Sequence, residues 1–96
     1  MSRYALTPRA QSDLEGIWNY TVGRWGDDQA EKYLRLRAEA MAYVAVDPKR
    51  GRACDDIRTG YWKYAAGAHV LFYRKAPKGV DIVRILHQRM DFQRHL

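Results

Sequence analysis

The stretch Val80-Asp81-Ile82-Val83-Arg84-Ile85-Leu86-His87 carries apolar side chains on both parities. A strand sends alternate side chains to opposite faces, so Val80, Ile82 and Leu86 would bury on one side and Val83 and Ile85 on the other. A strand covered on both faces belongs in the middle of a layered fold. The remaining residues must therefore supply neighbours along two edges and cover over two faces. With 96 residues, that is the work of one domain, residues 1–96, with a core large enough to fold alone but with little to spare.

Upstream, Arg3-Tyr4-Ala5-Leu6 alternates as a short strand. Thr7-Pro8 reads as a helix start, with Thr7 as N-cap and Pro8 at the first helical position, where a missing N–H costs nothing. Leu14, Ile17 and Trp18 form one apolar stripe. Gly23 and Gly26 bracket the helix end, and Trp25 between them is expected to plug against the core, as is Trp18. Asp28-Gln29-Ala30-Glu31 has the form of a capping box. The helix it opens is expected to run to about Val46, because Asp47-Pro48 blocks continuation. Two apolar stripes run along this helix: Ala30, Leu34, Met41 and Val44/Ala45, then Tyr33, Leu36, Ala40 and Tyr43. Together they are wider than one sheet contact requires. Either the helix is sandwiched between its neighbour and the sheet, or part of its face awaits another chain.

Lys49 to Asp56 is polar and basic and reads as a loop. Ile57–Tyr64, His69–Lys75 and Val80–His87 read as strands, separated by the turn signals Ala65-Ala66-Gly67 and Ala76-Pro77-Lys78-Gly79. Phe92–Leu96 adds a turn of helix. The order β-α-α-β-β-β predicts an α+β fold, a helical hairpin packed on a small antiparallel sheet with the first strand returning beside the last ones.

Net charge is +6, and its distribution says more than its sum. Residues 1–47 hold six Lys/Arg against seven Asp/Glu, whereas residues 48–96 hold eleven against four. A near-neutral helical half joined to a strongly basic sheet half favours a polyanionic partner, either nucleic acid or an acidic protein. Arg58, Lys63, Arg74 and Arg84 are positioned to form a basic stripe across the sheet. Pairing with Asp55, Asp56 and Asp81 would not account for the excess, since exposed pairs are worth about 0–1 kcal/mol. Tyr61, Trp62 and Tyr64 among these cations suit either a core or a stacking platform for single strands. No apolar run approaches the roughly 18 residues of a membrane span, and Met1-Ser2-Arg3-Tyr4 leads straight into the first strand, so no targeting segment is expected. The lone Cys54 can form no internal disulfide, which makes a reducing cytoplasm the default. His69, His87 and His95 lack metal-ligand spacing, and no metal or other cofactor is expected.

Motifs along the whole length carry a resemblance. They are Tyr4-x-Leu6-x-Pro8-x-Ala10, Asp13-Leu14-x-x-Ile17-Trp18-x-Tyr20-Thr21, Arg24-Trp25-Gly26-x-x-Gln29-Ala30 and Gly51-Arg52-Ala53-Cys54-Asp55-x-Ile57-Arg58-x-Gly60-Tyr61. The strongest piece is His69-Val70-x-Phe72-Tyr73-Arg74 with Val83-Arg84-x-Leu86-His87-x-Arg89-Met90-Asp91. In this order they resemble the ParE toxins of bacterial ParDE toxin–antitoxin modules, within the RelE/ParE superfamily. The resemblance implies a toxin held harmless by a ParD-like antitoxin, acting on DNA gyrase, and assembling with antitoxin into a hetero-oligomer. It implies neither a membrane partner nor a small-molecule substrate.

Under that resemblance, an acidic, amphipathic antitoxin segment that folds on contact would lie on Tyr33, Leu36, Ala40 and Tyr43, with its acids meeting Arg58, Arg74 and Arg84. The target-binding residues would be His87 and the basic tail, Arg89, Met90, Phe92 and Arg94. Deleting Phe92–Leu96 is expected to leave a folded, non-toxic protein. A RelE-type ribonuclease is the alternative, needing a base, an acid and phosphate-binding cations. His87 is its one acid–base candidate, yet by strand parity His87 and Arg84 leave opposite faces, so no catalytic residue is assigned. A non-catalytic nucleic-acid-binding module is a further alternative.

Overall fold

The computed structural model describes residues 3–96; Met1 and Ser2, read above as the lead into the first strand, lie outside them. The elements run β1 (Arg3–Leu6), α1 (Pro8–Trp25), α2 (Asp27–Val46), a 3-10 turn (Pro48–Arg50), β2 (Arg52–Ala53), β3 (Tyr61–Ala66), β4 (His69–Ala76), β5 (Gly79–His87) and α3 (Phe92–His95). Five strands form one sheet in the order β1-β5-β4-β3-β2. The helical hairpin packs on one side of it and the chain's tail on the other.

Thr7 starts α1 as expected: its Oγ1 accepts from the Ala10 N–H at 3.2 Å, with Pro8 at the first helical position. The same hydroxyl donates to the Val83 carbonyl at 2.8 Å, so the helix cap is also a tie to the sheet. At the far end Gly26 takes φ +91°, and its N–H donates to the Val22 carbonyl at 3.0 Å. Glycine tolerates this left-handed turn because it has no Cβ. Gly26 is also the cap of α2, so Asp28 already lies inside the helix and the capping box is absent. Asp27 and Asp28 instead act as first-turn acids, which the N-terminal helix dipole favours. Trp25 is 62% exposed. The reversal at Gly26 carries it off the core, and the expected plug does not exist. Trp18 is only partly buried, in a shallow furrow with Leu14 and Leu34.

Strand β5 lies inside the sheet beside central β4, hydrogen-bonded to β4 on one edge and to β1 on the other. The β1–β5 pairing is parallel, the others antiparallel. Along the β4–β5 ladder Phe72 faces Arg84 while Tyr73 faces Ile82, which leaves Val83 as the extra residue of a bulge. The bulge switches parity. It lets Val80, Ile82 and Ile85 share the helix side, where they bury with Leu71, Tyr73, Ala10, Met41, Val44 and Ala45. Leu86 falls on the other side with Val70, Phe72 and Cys54, under Ile57, Tyr61, Met90, Phe92 and Leu96. Fully buried side chains such as Phe72, Leu71, Ile82 and Leu86 each contribute about 1.5–3 kcal/mol. Trp62 and Tyr64 pack on the helix-side core and Tyr61 on the tail-side core, so these aromatics are structural.

Two segments differ from the sequence reading. The strand expected from Ile57 begins at Tyr61, because the Ile57 and Arg58 N–H groups donate to the Cys54 carbonyl and the Gly60 N–H to the Asp55 carboxylate. The expected loop over Lys49–Asp56 holds the last two residues of the 3-10 turn and the two-residue strand β2, paired with Lys63 and Trp62. Buried Tyr73 anchors this stretch: its hydroxyl donates to the Pro48 carbonyl (2.6 Å) and accepts from the Gly51 N–H (3.1 Å). Burial pushes its pKa up to about 12.

β1 pairs only with Gly79–Ile82, so the edge of β5 beyond Ile82 needs other partners. Thr7 takes the Val83 carbonyl, and Asp13 of α1 accepts from the Ile85 N–H at 2.9 Å. The Asp13 carboxylate also grips Arg84 in bidentate fashion, Nε at 2.8 Å and Nη2 at 2.9 Å. One side chain thus seals the sheet edge and holds a cation.

Candidate functional site

Of its inner stripe, helix α2 buries Ala30, Met41, Val44 and Ala45, the last three in the sheet core, whereas Leu34 is half-buried beside Trp18 of α1. Its second stripe is not sandwiched. Tyr33, Leu36, Ala40 and Tyr43 line an open groove of about 620 Å³, whose other wall is Tyr64 of β3 and the β3–β4 hairpin through Ala68. Leu36 is 51% and Tyr43 47% exposed. The Tyr43 and Tyr64 rings lie 5.6 Å apart, and the Arg50 guanidinium stacks on Tyr43 at 4.1 Å. Large apolar side chains left open on a helix facing a hairpin make a surface that suits an amphipathic segment.

Tyr33 is also the lip of a second hollow. Between α1, the start of α2 and the ends of β4 and β5 lies a cleft of about 700 Å³, lined by residues including Asp13, Ile17, Tyr20, Thr21, Trp25, Gln29, Tyr33, His69, His87 and Met90. Tyr20 and Trp25 stand exposed at its rim. The helix face thus carries two adjoining apolar hollows separated by a saddle of Tyr33, Arg37 and His69.

That saddle is polar and tightly made. Arg37 is buried, and its guanidinium lies 4.0 Å over the Tyr33 ring. Its Nη2 donates to His69 Nδ1 at 3.2 Å, so His69 presents an unprotonated nitrogen there, and the Tyr33 hydroxyl donates to the same atom at 3.3 Å. Burial, then the Arg37 charge, then His87, push the His69 pKa down to about 4. The His69 and His87 rings meet edge to face at 5.4 Å. His87 Nδ1 accepts the Arg89 N–H at 3.1 Å, which fixes its ring against the start of the tail.

The cations named from the sequence lie elsewhere. Phe72, Arg74 and Arg84 occupy tail-side positions of the β4–β5 ladder, opposite the side on which α2 packs. Arg74 pairs with Asp81 at 3.5 Å, an exposed contact. Arg84 pairs with Asp13 and also donates to the His95 carbonyl, while Arg58 donates to the Leu96 main-chain oxygen. The structure therefore brings Tyr33, Leu36, Ala40 and Tyr43 together in one groove, but places Arg58, Arg74 and Arg84 on another face, each already engaged.

The tail splits the same way. Phe92 packs on Phe72 with ring centres 4.9 Å apart, and Met90 and Leu96 join that core. Arg89 and Arg94 are exposed and make no ion pair among the described residues. Deleting Phe92–Leu96 would uncover part of the cluster of Phe72, Leu86 and Cys54, which argues against a folded protein after that deletion. Cys54 is fully buried, and burial pushes its thiol pKa up, which makes it inert.

His87 and Arg84 do leave opposite faces of β5: His87 opposes His69 on the helix side, and Arg84 opposes Phe72 on the tail side. His69 is tied to Arg37 and Tyr33. His87 and Arg84 therefore do not share one face of the sheet.

Sequence reasoning missed the cleft residues Ile17, Tyr20, Trp25 and His69, and it missed Arg37. For Arg37 a signal was present: it sits on the inward stripe of α2, seven residues after Ala30, four before Met41 and seven before Val44, where these neighbours are apolar. For Trp25 and His69 no local signal separates a cleft wall from a core.

Comparison with known proteins agrees with this architecture. A family model described as the ParE toxin of the type II toxin–antitoxin system parDE matches residues 4–92. Toxin ParE1 of Mycobacterium tuberculosis is 56% identical over 96 residues, covering 99% of this chain and 98% of that protein. Toxin ParE1 of Caulobacter vibrioides is 41% identical over 96 residues, covering 100% and 99%. A chain of the solved chromosomal ParDE TA system from P. aeruginosa superposes with a TM-score of 0.77 over 91% of this chain and 96% of that one, a likeness of fold at 20% identity. Family, length and fold coincide: this chain belongs to the ParE toxin family of type II toxin–antitoxin systems, within the RelE/ParE superfamily.

Proposed function

We propose that this toxin acts by binding DNA gyrase and stalling replication, and that its cognate ParD-like antitoxin silences it by laying an amphipathic segment in the α2 groove. The observation that carries the antitoxin half is the open stripe of Tyr33, Leu36, Ala40 and Tyr43, apolar and unpartnered beside a hairpin. A basic chain of net charge +6 adds long-range attraction for an acidic segment. Because Arg58, Arg74 and Arg84 lie on the other face, the groove forms the apolar contact, and those three cations act on the segment through steering rather than contact.

The gyrase half rests on membership of the ParE family and on chemistry. A protein that poisons by binding needs an exposed surface and no proton-transfer pair. His87 faces away from Arg84, and the exposed cations Arg89 and Arg94 flank a tail whose apolar residues are tucked inward. Those two arginines with His87 form the proposed target-facing edge.

Inducing the toxin without its antitoxin, while pulse-labelling DNA and protein synthesis in one culture, tests the reading. DNA synthesis is expected to fall first, with translation intact, and co-induced antitoxin to restore growth. An early fall in translation instead would point to RNA cleavage and overturn the gyrase assignment.

A further inference from the structure

Among the described residues Arg37 is the most deeply buried charge, 2% exposed, and it has no counter-ion there. The ion pairs among the described residues are Arg35–Glu31, Arg74–Asp81 and Arg84–Asp13; none involves Arg37. Its Nε has no hydrogen-bond partner at all. Its Nη2 donates to His69 Nδ1, a single lone pair shared with the Tyr33 hydroxyl. The face of the Tyr33 ring offsets part of the charge, but a ring quadrupole is no substitute for a carboxylate. A lysine or histidine so placed would shed its proton. Arginine cannot, because its guanidinium stays charged in proteins. Burial lowers the Arg37 pKa without discharging it. In the free toxin the cation is therefore buried with its Nε unpaired and no carboxylate beside it among the described residues, an arrangement that invites a partner.

The position of the missing partner can be read from the surroundings. Arg37 contributes to the floor of the α2 groove, between Tyr33 and Ala40. Over it runs the β3–β4 turn, where Gly67 takes φ +65°; a Cβ there would stand 3.2 and 3.3 Å from Nη2 and Nη1. Any side chain at 67 would crowd the guanidinium from above, and the positive φ there already favours glycine. The groove walls beside it are apolar, with Leu36, Tyr43 and Tyr64. The one carboxylate on the rim, Glu39, forms no ion pair with Arg37. A deep cation in an apolar trough fits a single acidic side chain carried on an otherwise apolar face, not a phosphate backbone.

We propose that Arg37 is an anion socket in the floor of the α2 groove, and that one Asp or Glu carboxylate of the antitoxin segment seats on it when that segment docks. This rests on the groove reading above and sharpens it. Apolar contacts at Leu36 and Tyr43 supply area, and the socket fixes register, since an apolar residue opposite Arg37 would leave the cation sealed and unpaired.

The test uses the full-length toxin and its cognate antitoxin, with affinities measured by titration calorimetry for wild type, Arg37→Met and Tyr43→Asp. In parallel each antitoxin carboxylate is changed singly to its amide, against wild-type and Arg37→Met toxin. The expected result is a loss of about 30-fold or more for Arg37→Met, the scale for truncating one side of a buried charge pair. One antitoxin amide variant should lose a similar factor with wild-type toxin and little more with Arg37→Met. Thermal melts separate a binding role from a scaffold role. Removing an unpaired buried charge should leave the Tm of the free toxin unchanged or higher, whereas a scaffold arginine would lower it. Unchanged affinity for Arg37→Met, or a loss that couples to no antitoxin carboxylate, overturns the socket. Undiminished binding by Tyr43→Asp overturns the groove reading, and the socket with it; weakened binding by Tyr43→Asp with full binding by Arg37→Met overturns the socket alone. The antitoxin variants leave the toxin untouched, so they decide the matter even where Arg37→Met folds poorly.

Discussion

Asp13→Ala is the substitution that most directly probes how the fold is locked. The Asp13 carboxylate accepts three hydrogen bonds, two from Arg84 and one from the Ile85 N–H. The ion-pair partners are 11% and 16% exposed, so this is far from a surface pair worth about 0–1 kcal/mol. Hydrogen bonding to Asp13 dominates the upward shift of the Arg84 pKa, which shows the cation stabilised rather than stranded. Removing the carboxylate leaves Arg84 with only the His95 carbonyl and the Ile85 amide with nothing. Breaking a buried pair costs about 3–5 kcal/mol. Because Arg84 keeps some access to water, about 3 kcal/mol is the working figure. For a domain of this size, each kcal/mol moves Tm by about 4–8 °C, so Asp13→Ala should lower it by about 12–24 °C. The assay is a pair of thermal and urea melts on the purified variant, together with Arg84→Met and the double variant. The double variant should recover much of the loss, since both ends of the pair are gone. A Tm drop below about 4 °C for Asp13→Ala would show that the sheet edge is held by something else.

Further outcomes follow from the same geometry. Free His69 titrates near 6.5, but in the fold its pKa is near 4, so below pH 6.5 the unfolded chain takes up a proton that the folded one refuses. Stability is full above that pH and falls as pH drops from 6.5 towards 4, by about 1–2 kcal/mol after discounting for partial solvent exposure; urea melts at pH 7 and 5 should show the loss shrinking in His69→Asn. Tyr73→Phe strands the Pro48 carbonyl and the Gly51 N–H and should cost about 1–3 kcal/mol in the same melts. Arg89→Glu with Arg94→Glu, both at exposed positions, should abolish toxicity in the induction assay with Tm within a few degrees of wild type, about ±0.5 kcal/mol per surface change. Retained toxicity would remove the tail cations from the target-facing edge.

Much of the fold was legible because its signals are local. Thr7-Pro8 caps a helix by its own chemistry, Asp47-Pro48 ends one, and the double-parity apolar run of β5 demands cover on two faces. The details that escaped depend on distant residues. The bulge at Val83 arises from pairing with β4, and the β5 edge is sealed by Thr7 and Asp13, more than seventy residues away in sequence. Trp25, between Gly23 and Gly26, looks locally like a plug against the core; its exposure is set by the reversal at Gly26. For the candidate site, the stripe of Tyr33, Leu36, Ala40 and Tyr43 was visible as surplus apolar width on α2. The stripe of arginines was visible too, but its assignment to the same surface failed because sheet parity sends Arg74 and Arg84 to the side opposite α2. Net charge located the basic half of the chain, not the partners that its cations already hold.

The most direct test of the account is a gyrase supercoiling assay with purified toxin, relaxed plasmid and ATP, run with and without the cognate antitoxin. The account predicts that toxin alone blocks supercoiling and that stoichiometric antitoxin restores it. Undiminished supercoiling at toxin in large excess over gyrase would contradict it.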